Sequence, residues 1–230
     1  MIQFGDLIHS RFVIIGQINQ GRFGLIYSAN DTRTDTMVVM KVPKFEEGYD
    51  LEREYNFLNQ LAPYTYIPSS FEFGRTAQFP YFCNSLIIFS VMSQEGQSLQ
   101  DLASIFTAGF DERTIGLLLF HCLLAVHSVH QLDVYHADIT LMNLCLSLTP
   151  LKGRILLIDF GDEIAHNDIA HRNDISAIFM SPEFVSNHHL MLGEYRRLHN
   201  QDTPSPIEDI IESIREQPNF NEHDHFMWEG

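Results

Sequence analysis

Between Asp111 and Leu132 the chain reads DERTIGLLLFHCLLAVHSVHQL. This run is apolar on nearly every helical face, and a helix sustains that only when neighbours bury it on most sides. It is too short and too broken by histidines to cross a bilayer comfortably, so no membrane span is expected. The chain must therefore build a helical lobe around this segment. With 230 residues, 45% hydrophobic and 19% charged, it has material for that lobe and for a second, smaller one.

The first ninety or so residues carry a different signature. RFVIIGQI, GLIYSAN and TMVVMKV are short, β-branched and aromatic, and NQGRFG and NDTRTD separate them as turns. Two antiparallel hairpins place these strands side by side. DLEREYNFLNQLA then repeats apolar residues at Leu51, Tyr55, Leu58 and Leu61, which is helical spacing. IPSSFEFG and SLIIFSVM supply two further strands, giving an expected five-stranded sheet with one helix. After residue 92 the pattern changes. SLQDLASIF reads as a short helix capped by Ser98, the long apolar helix follows, and GRILLIDFG reads as a strand. Loops are expected from residue 162 to about 205, one capped helix in SPIEDIIESIRE, and frayed chain after Pro218.

Charge narrows the function. A formal net charge of −16 repels phosphate backbones and argues against nucleic-acid binding. The acidic stretch IEDIIESIREQPNFNEHDHFMWEG reads as a solvated end, with a basic partner surface as the sharper alternative. Cys83, Cys122 and Cys145 are widely spaced without a CxxC, which argues against a disulfide framework or zinc site and fits a reducing compartment. MIQFGDLIHSRF lacks the features of a signal peptide. The expected location is intracellular, cytoplasmic or nuclear. The scattered histidines read as loop residues.

Several residues carry candidate chemistry. Gly21 and Gly24 flank Phe23 in a hairpin whose backbone N–H groups can approach phosphates, although a plain structural turn fits them too. Lys41 ends the apolar strand VVMK and needs a partner if buried, and Glu54 on the next helix can supply it. In VYHADITLMN, Asp138 precedes Asn143 by five positions, and Asp159 follows the apolar run RILLI. Asn143 and Asp159 offer the oxygen ligands that Mg²⁺ takes alongside substrate phosphates, and Asp138 can accept a hydroxyl proton. Each of these alone also fits a cap or a turn.

Taken in order, these features resemble the eukaryotic protein kinase family over roughly residues 11–215. GQINQGRFGLIY and LEREYNFLNQL are most similar to the casein-kinase-one and vaccinia-related-kinase group. The resemblance implies a bilobal α+β fold. A small antiparallel β-sheet N-lobe would span 1–92, a hinge 93–97, a shortened and mainly helical C-lobe 98–217 and an acidic tail 218–230, all as one domain. It implies ATP and Mg²⁺ as cofactors and a protein substrate or partner. Ile18, Gly21, Phe23, Gly24, Ile26 and Val39 would fall around the nucleotide, with Lys41 on its α- and β-phosphates and Glu54 as the partner of Lys41. Met92 would stand at the gatekeeper position, Ser93, Gln94 and Glu95 would face adenine, and Cys145 would lie beneath it. Asp138 would be the catalytic base, and Asn143 and Asp159 the metal ligands. The stretch from Asp159 to Ser181–Glu183 matches an activation segment. Asp209 resembles the aspartate of the helix that supports the catalytic loop.

The departures from the family pattern matter as much. Asn19 replaces the first glycine of the phosphate loop, as a residue that still permits a turn. Ala137 replaces the arginine that binds an activation-loop phosphate, which argues against activation by that route. Thr140 replaces a lysine that stabilises the transferred group; losing such a donor costs on the order of 10²–10³ in rate. The family's later C-lobe helices are missing, so a shortened lobe could associate through its exposed underside. HADITLMN and LIDFGDE resemble small atypical kinases and aminoglycoside-phosphotransferase-like enzymes equally well, while NQGRFGLIY and MSPEF favour the protein-kinase reading. A pseudokinase that acts as a nucleotide-binding or partner-binding scaffold also stays open.

Overall fold

A computed structural model of the chain describes residues 2–20, 24–44, 51–61, 66–76, 87–148, 154–160, 164–165, 168–179 and 206–227. It divides into two compact units: Met1–Pro63 with Pro68–Glu95, and Tyr64–Ile67 with Gly96–Gly230.

The first unit is an antiparallel sheet of β1 (Leu7–Ile8), β2 (Phe12–Gln20), β3 (Gly24–Asp31), β4 (Thr36–Pro43), β5 (Ser70–Thr76) and β6 (Ile87–Ser93), in the order β1-β2-β3-β4-β6-β5. Sequence patterning predicts five strands; the sixth is the two-residue β1, which pairs Leu7 with Val13 and Ile8 with Phe12. Two residues are too few to show a period, so β1 exists only through its partner. Strand alternation explains the core. Val38, Met40 and Val42 on β4 join Phe12, Tyr27 and Phe89 in one buried cluster. β1 and β5 are opposite edges of the sheet, yet Glu72 on β5 meets His9 Nδ1 at 2.7 Å and accepts from Arg11 at the start of β2. The sheet is therefore curled until its ends meet. Asp31 completes this clasp, with its Oδ1 2.8 Å from Arg11 Nε. Helix α1 (Leu51–Leu61) packs on β5 and β6 and turns Leu51, Glu54, Leu58 and Leu61 inward.

The second unit is built around the predicted apolar helix. α2 (Leu99–Ile105) starts in a capping box in which Ser98 Oγ accepts from Asp101 N while Asp101 accepts from Ser98 N. α3 (Glu112–His130) is capped by Asp111, which accepts from Thr114 N at 2.7 Å. By length and apolarity α3 could cross a membrane, but 78% of that window is buried inside the unit, which makes it a core helix. The remaining elements are β7 (Val134–Tyr135), β8 (Leu144–Leu146), β9 (Ile155–Leu157), β10 (Ile164–Ala165), α4 (Asp168–Phe179) and α5 (Ile207–Arg215). β7 pairs with β10 and β8 with β9, while α3 packs against β9, α4 and α5.

Three further expectations are corrected here, and one falls outside the described residues. The predicted loop region after residue 162 contains α4; its apolar periodicity is weak because a buried acid, Asp174, sits on its inner face. Residues 180–205, including Ser181–Glu183, lie outside the described residues. α5 begins at Pro206 with no side-chain cap. The stretch after Pro218 is not frayed and not simply a solvated acidic end, because Phe226 is 2% exposed and Phe220 packs against Phe120 at 5.1 Å between ring centres.

Candidate functional site

In the first unit, Lys41 lies opposite Ile26 and Ser90, and Val39 lies opposite Ser28 and Met92. Directly opposed residues share a face. Val38, Met40 and Val42 take the core face, so Ile26, Val39, Lys41 and Met92 share the other one. Lys41 Nζ donates to both carboxylate oxygens of Glu54, at 3.0 and 2.9 Å. Lys41 is 4% exposed and Glu54 2%, so this is a buried bidentate pair formed as the sequence predicts. Gly24 explains itself sterically: a Cβ there would stand 3.0 Å from the Val42 carbonyl oxygen across the β3–β4 pair. Asn19 is not in a turn. It lies in β2 opposite Ile26, beside a register irregularity that contains Ile18. Gly21 and Phe23 lie outside the described residues. Ser93 Oγ accepts from Ser69 N at 2.9 Å and donates to Glu95, which fixes the residues expected to face adenine.

The second unit holds the other candidates. Asn143 Nδ2 donates to the Asp138 carbonyl at 2.9 Å and to Asp138 Oδ2 at 3.1 Å. Its backbone carbonyl accepts from Ile158 N at 2.9 Å, which brings the residue before Asp159 against Asn143. Asp159 stands two residues past β9, in the left-handed region at φ 65°. Cys145 is buried on β8 and paired with Leu156. Asn143 and Asp159 offer an amide oxygen and a carboxylate, hard donors suited to Mg²⁺ with phosphate oxygens completing its shell. Among the described residues, no group of three or more His, Cys, Asp or Glu could hold a metal.

His136 braces this loop. It is fully buried, its Nε2–H donates to the Ile158 carbonyl at 2.9 Å, and its Nδ1 accepts from Asp138 N at 3.3 Å. Both bonds require the neutral ring protonated at Nε2. Burial holds its pKa below the ordinary histidine value, in the same direction.

Asp174, which sequence reasoning did not single out, is the keystone. Its Oδ2 accepts from His136 N at 2.8 Å, and its Oδ1 from Ala137 N at 2.9 Å. Oδ2 also meets His130 Nε2 on α3 at 3.1 Å. Asp174 is 1% exposed, and these bonds are what make its burial tolerable. They also hold Ala137 at φ 65°, a conformation that costs a side-chain-bearing residue roughly 1 kcal/mol. The loop-supporting role expected of Asp209 therefore belongs to Asp174. Asp209 is exposed in the first turn of α5. The available signal was an acid adjoining Ile175 and Ile178, the buried positions of α4.

The model of the protein kinase domain family matches residues 12–194. The serine/threonine-protein kinase KIC1 of Saccharomyces cerevisiae is 26% identical over 73% of this chain and 15% of its own length. A Dictyostelium discoideum protein named as a serine/threonine-protein kinase is 28% identical over 68% of this chain and 31% of its own. A Caenorhabditis elegans protein named as a casein kinase I is 25% identical over 68% and 46%. The chain thus spans less than half the length of these curated relatives.

Proposed function

The chain belongs to the protein kinase domain family, and from that premise we propose that it is an active Mg²⁺- and ATP-dependent kinase of the serine/threonine type, transferring the γ-phosphoryl group to a protein hydroxyl. The observation that carries this reading is the buried bidentate Lys41–Glu54 pair. A lysine placed in an apolar sheet and held by a carboxylate is oriented at the outset to meet phosphate oxygens. In the second unit Asp138 takes the proton of the acceptor hydroxyl, held by Asn143 and by the His136 brace. Asn143 and Asp159 would hold Mg²⁺, which would supply charge neutralisation at the phosphates. In the first unit Ile18, Ile26, Val39 and Met92 would face the nucleotide, and the Ser93–Glu95 stretch its base. The resemblance to the casein-kinase-one group and a cytoplasmic or nuclear location belong to the same reading.

A second reading has one observation in its favour. Only residues 160–167 separate Asp159 from α4, whose Asp174 already anchors the loop, and two of them pair with β7. So short a connection differs from the activation segment expected between Asp159 and Ser181–Glu183, and this favours a small-molecule hydroxyl as acceptor.

Thermal shift with ATP, with and without Mg²⁺, tests the nucleotide site, because a ligand selective for the native state raises its apparent stability. The expected result is a Mg²⁺-dependent shift that Asp159→Asn abolishes. Transfer to protein or metabolite acceptors, abolished by Asp138→Asn, then separates the two readings. No shift in wild type would leave a partner-binding scaffold.

A further inference from the structure

The segment after α5 has an inward-facing alternation. Phe220, Glu222, Asp224 and Phe226 are buried or half-buried, while Asn221, His223, His225 and Met227 are exposed. Its two aromatic ends are its anchors. Phe220 packs against Phe120 of α3 in a tilted arrangement, and Phe226 lies beneath Arg154, whose guanidinium sits 3.9 Å from the ring centre. Between them, Asp224 pairs with Arg113 at 2.6 Å, and its carbonyl accepts from Arg154. Met227 N closes the attachment on Thr114 Oγ1 at 3.0 Å. The middle of the strap is not packed flat: Glu222–His225 line a cleft of about 620 Å³ opposite Tyr66, Phe120 and Leu124. Seating therefore depends on a few discrete anchors.

Arg154 is the informative one, because it stands at the entrance to β9. Its carbonyl accepts from Ser147 N at 3.0 Å, and β9 then runs from Ile155 to Leu157 in register with β8. The far end of β9 delivers Ile158, tied to His136 and Asn143, and then Asp159. One short strand thus has the strap's arginine at one end and the carboxylate of Asp159 at the other.

We propose that the strap of residues 216–227, acting through Arg154, is a positioning element for Asp159, so that Mg²⁺-dependent nucleotide binding requires the strap to be seated. Phe226 and Arg154 are positioning residues that touch neither nucleotide nor metal. The inference rests on the reading of Asp159 as a Mg²⁺ ligand. A seated strap anchors the entrance of β9 through Arg154. Released, β9 keeps its pairing with β8 and the Ile158 bonds to His136 and Asn143, but its entrance gains motion that widens the range of positions Asp159 samples. Coupling between packed sites of this kind changes affinity by roughly 2- to 30-fold.

The test is calorimetric titration of ATP into the folded protein, once with Mg²⁺ and once with a chelator, for wild type, Phe226→Ala, Phe226→Tyr and Arg113→Ala. The expected pattern is about 10-fold weaker Mg²⁺·ATP binding for Phe226→Ala, with affinity in chelator changed less than about 2-fold. Phe226→Tyr, which keeps the ring under Arg154, should restore wild-type behaviour. Arg113 is 55% exposed in its side chain, so Arg113→Ala keeps the fold even where Phe226→Ala does not. It should show the same metal-specific weakening on a smaller scale. A strap that only adds stability would lower the melting temperature and leave both affinities at wild-type values, which overturns the inference alone. Wild type without any Mg²⁺-dependent affinity overturns the reading of Asp159 and the inference together.

Discussion

At the scale of single residues, the structure rests on charges that are buried only because they are paired. Lys41→Met leaves the Glu54 carboxylate buried beside a methyl group. Breaking such a pair on one side costs about 3–5 kcal/mol, whereas removing both charges is far milder. Urea unfolding should therefore show a large loss for Lys41→Met and recovery of at least half of it in Lys41→Met/Glu54→Gln. Neither variant should bind ATP, so stability and function separate in this pair. Asp31 gives a pH-dependent counterpart. Hydrogen bonding to Arg11 lowers its carboxyl to about 2. A depressed folded-state pKa means that stability is fully present above the unfolded value near 4 and is lost as pH falls toward 2. Wild type should lose up to roughly 2 kcal/mol across that window, and Asp31→Asn should show a flatter acid limb in the same titration.

At the scale of elements, α4 decides the shape of the loop that carries Asp138. Asp174 joins the C-terminal end of α3, through His130, to the backbone of His136 and Ala137. Asp174→Ala removes the acceptor of the His136 and Ala137 N–H groups and the partner of His130; the loss at His136, a fully buried residue, is about 1–3 kcal/mol by itself. The expected outcome is a destabilisation of several kcal/mol in denaturant melts, together with lost nucleotide-dependent activity in any protein that still folds. Asp209→Ala, at an exposed first-turn position, should stay within about 0.5 kcal/mol of wild type. The reverse order of effects would return the supporting role to α5. These bonds cross 37 and 38 residues of chain, beyond any window in which periodicity is read.

At the scale of the whole molecule, the two units differ in how they are held together. The first closes its sheet with a largely buried charged clasp, through His9, Arg11, Asp31 and Glu72. The second wraps short elements around α3 and then returns its acidic strap onto the same helix. The net charge of −16 does not keep this acidic stretch in solvent, because Arg113, Arg154 and Arg215 meet it there and Phe226 supplies the apolar anchor. Any stabilisation that Mg²⁺ adds to that of nucleotide alone should appear in the melting of the second unit, where Asp138, Asn143, Asp159 and the strap all lie.

The sequence by itself determined the strand hairpins, the buried helix, the Lys41–Glu54 pair and the loop containing Asp138 and Asn143. Each of these is written in local spacing: alternation, 3.6-residue repeats, or chemical types at fixed separations. The tertiary structure alone decided three things: that β1 is a strand, that Asp174 and not Asp209 holds the loop, and that the acidic segment is a seated strap. Those outcomes depend on which distant group satisfies a buried carboxylate or covers an aromatic ring. A carboxylate looks the same in sequence whether water or two backbone N–H groups receive it, and only packing settles which.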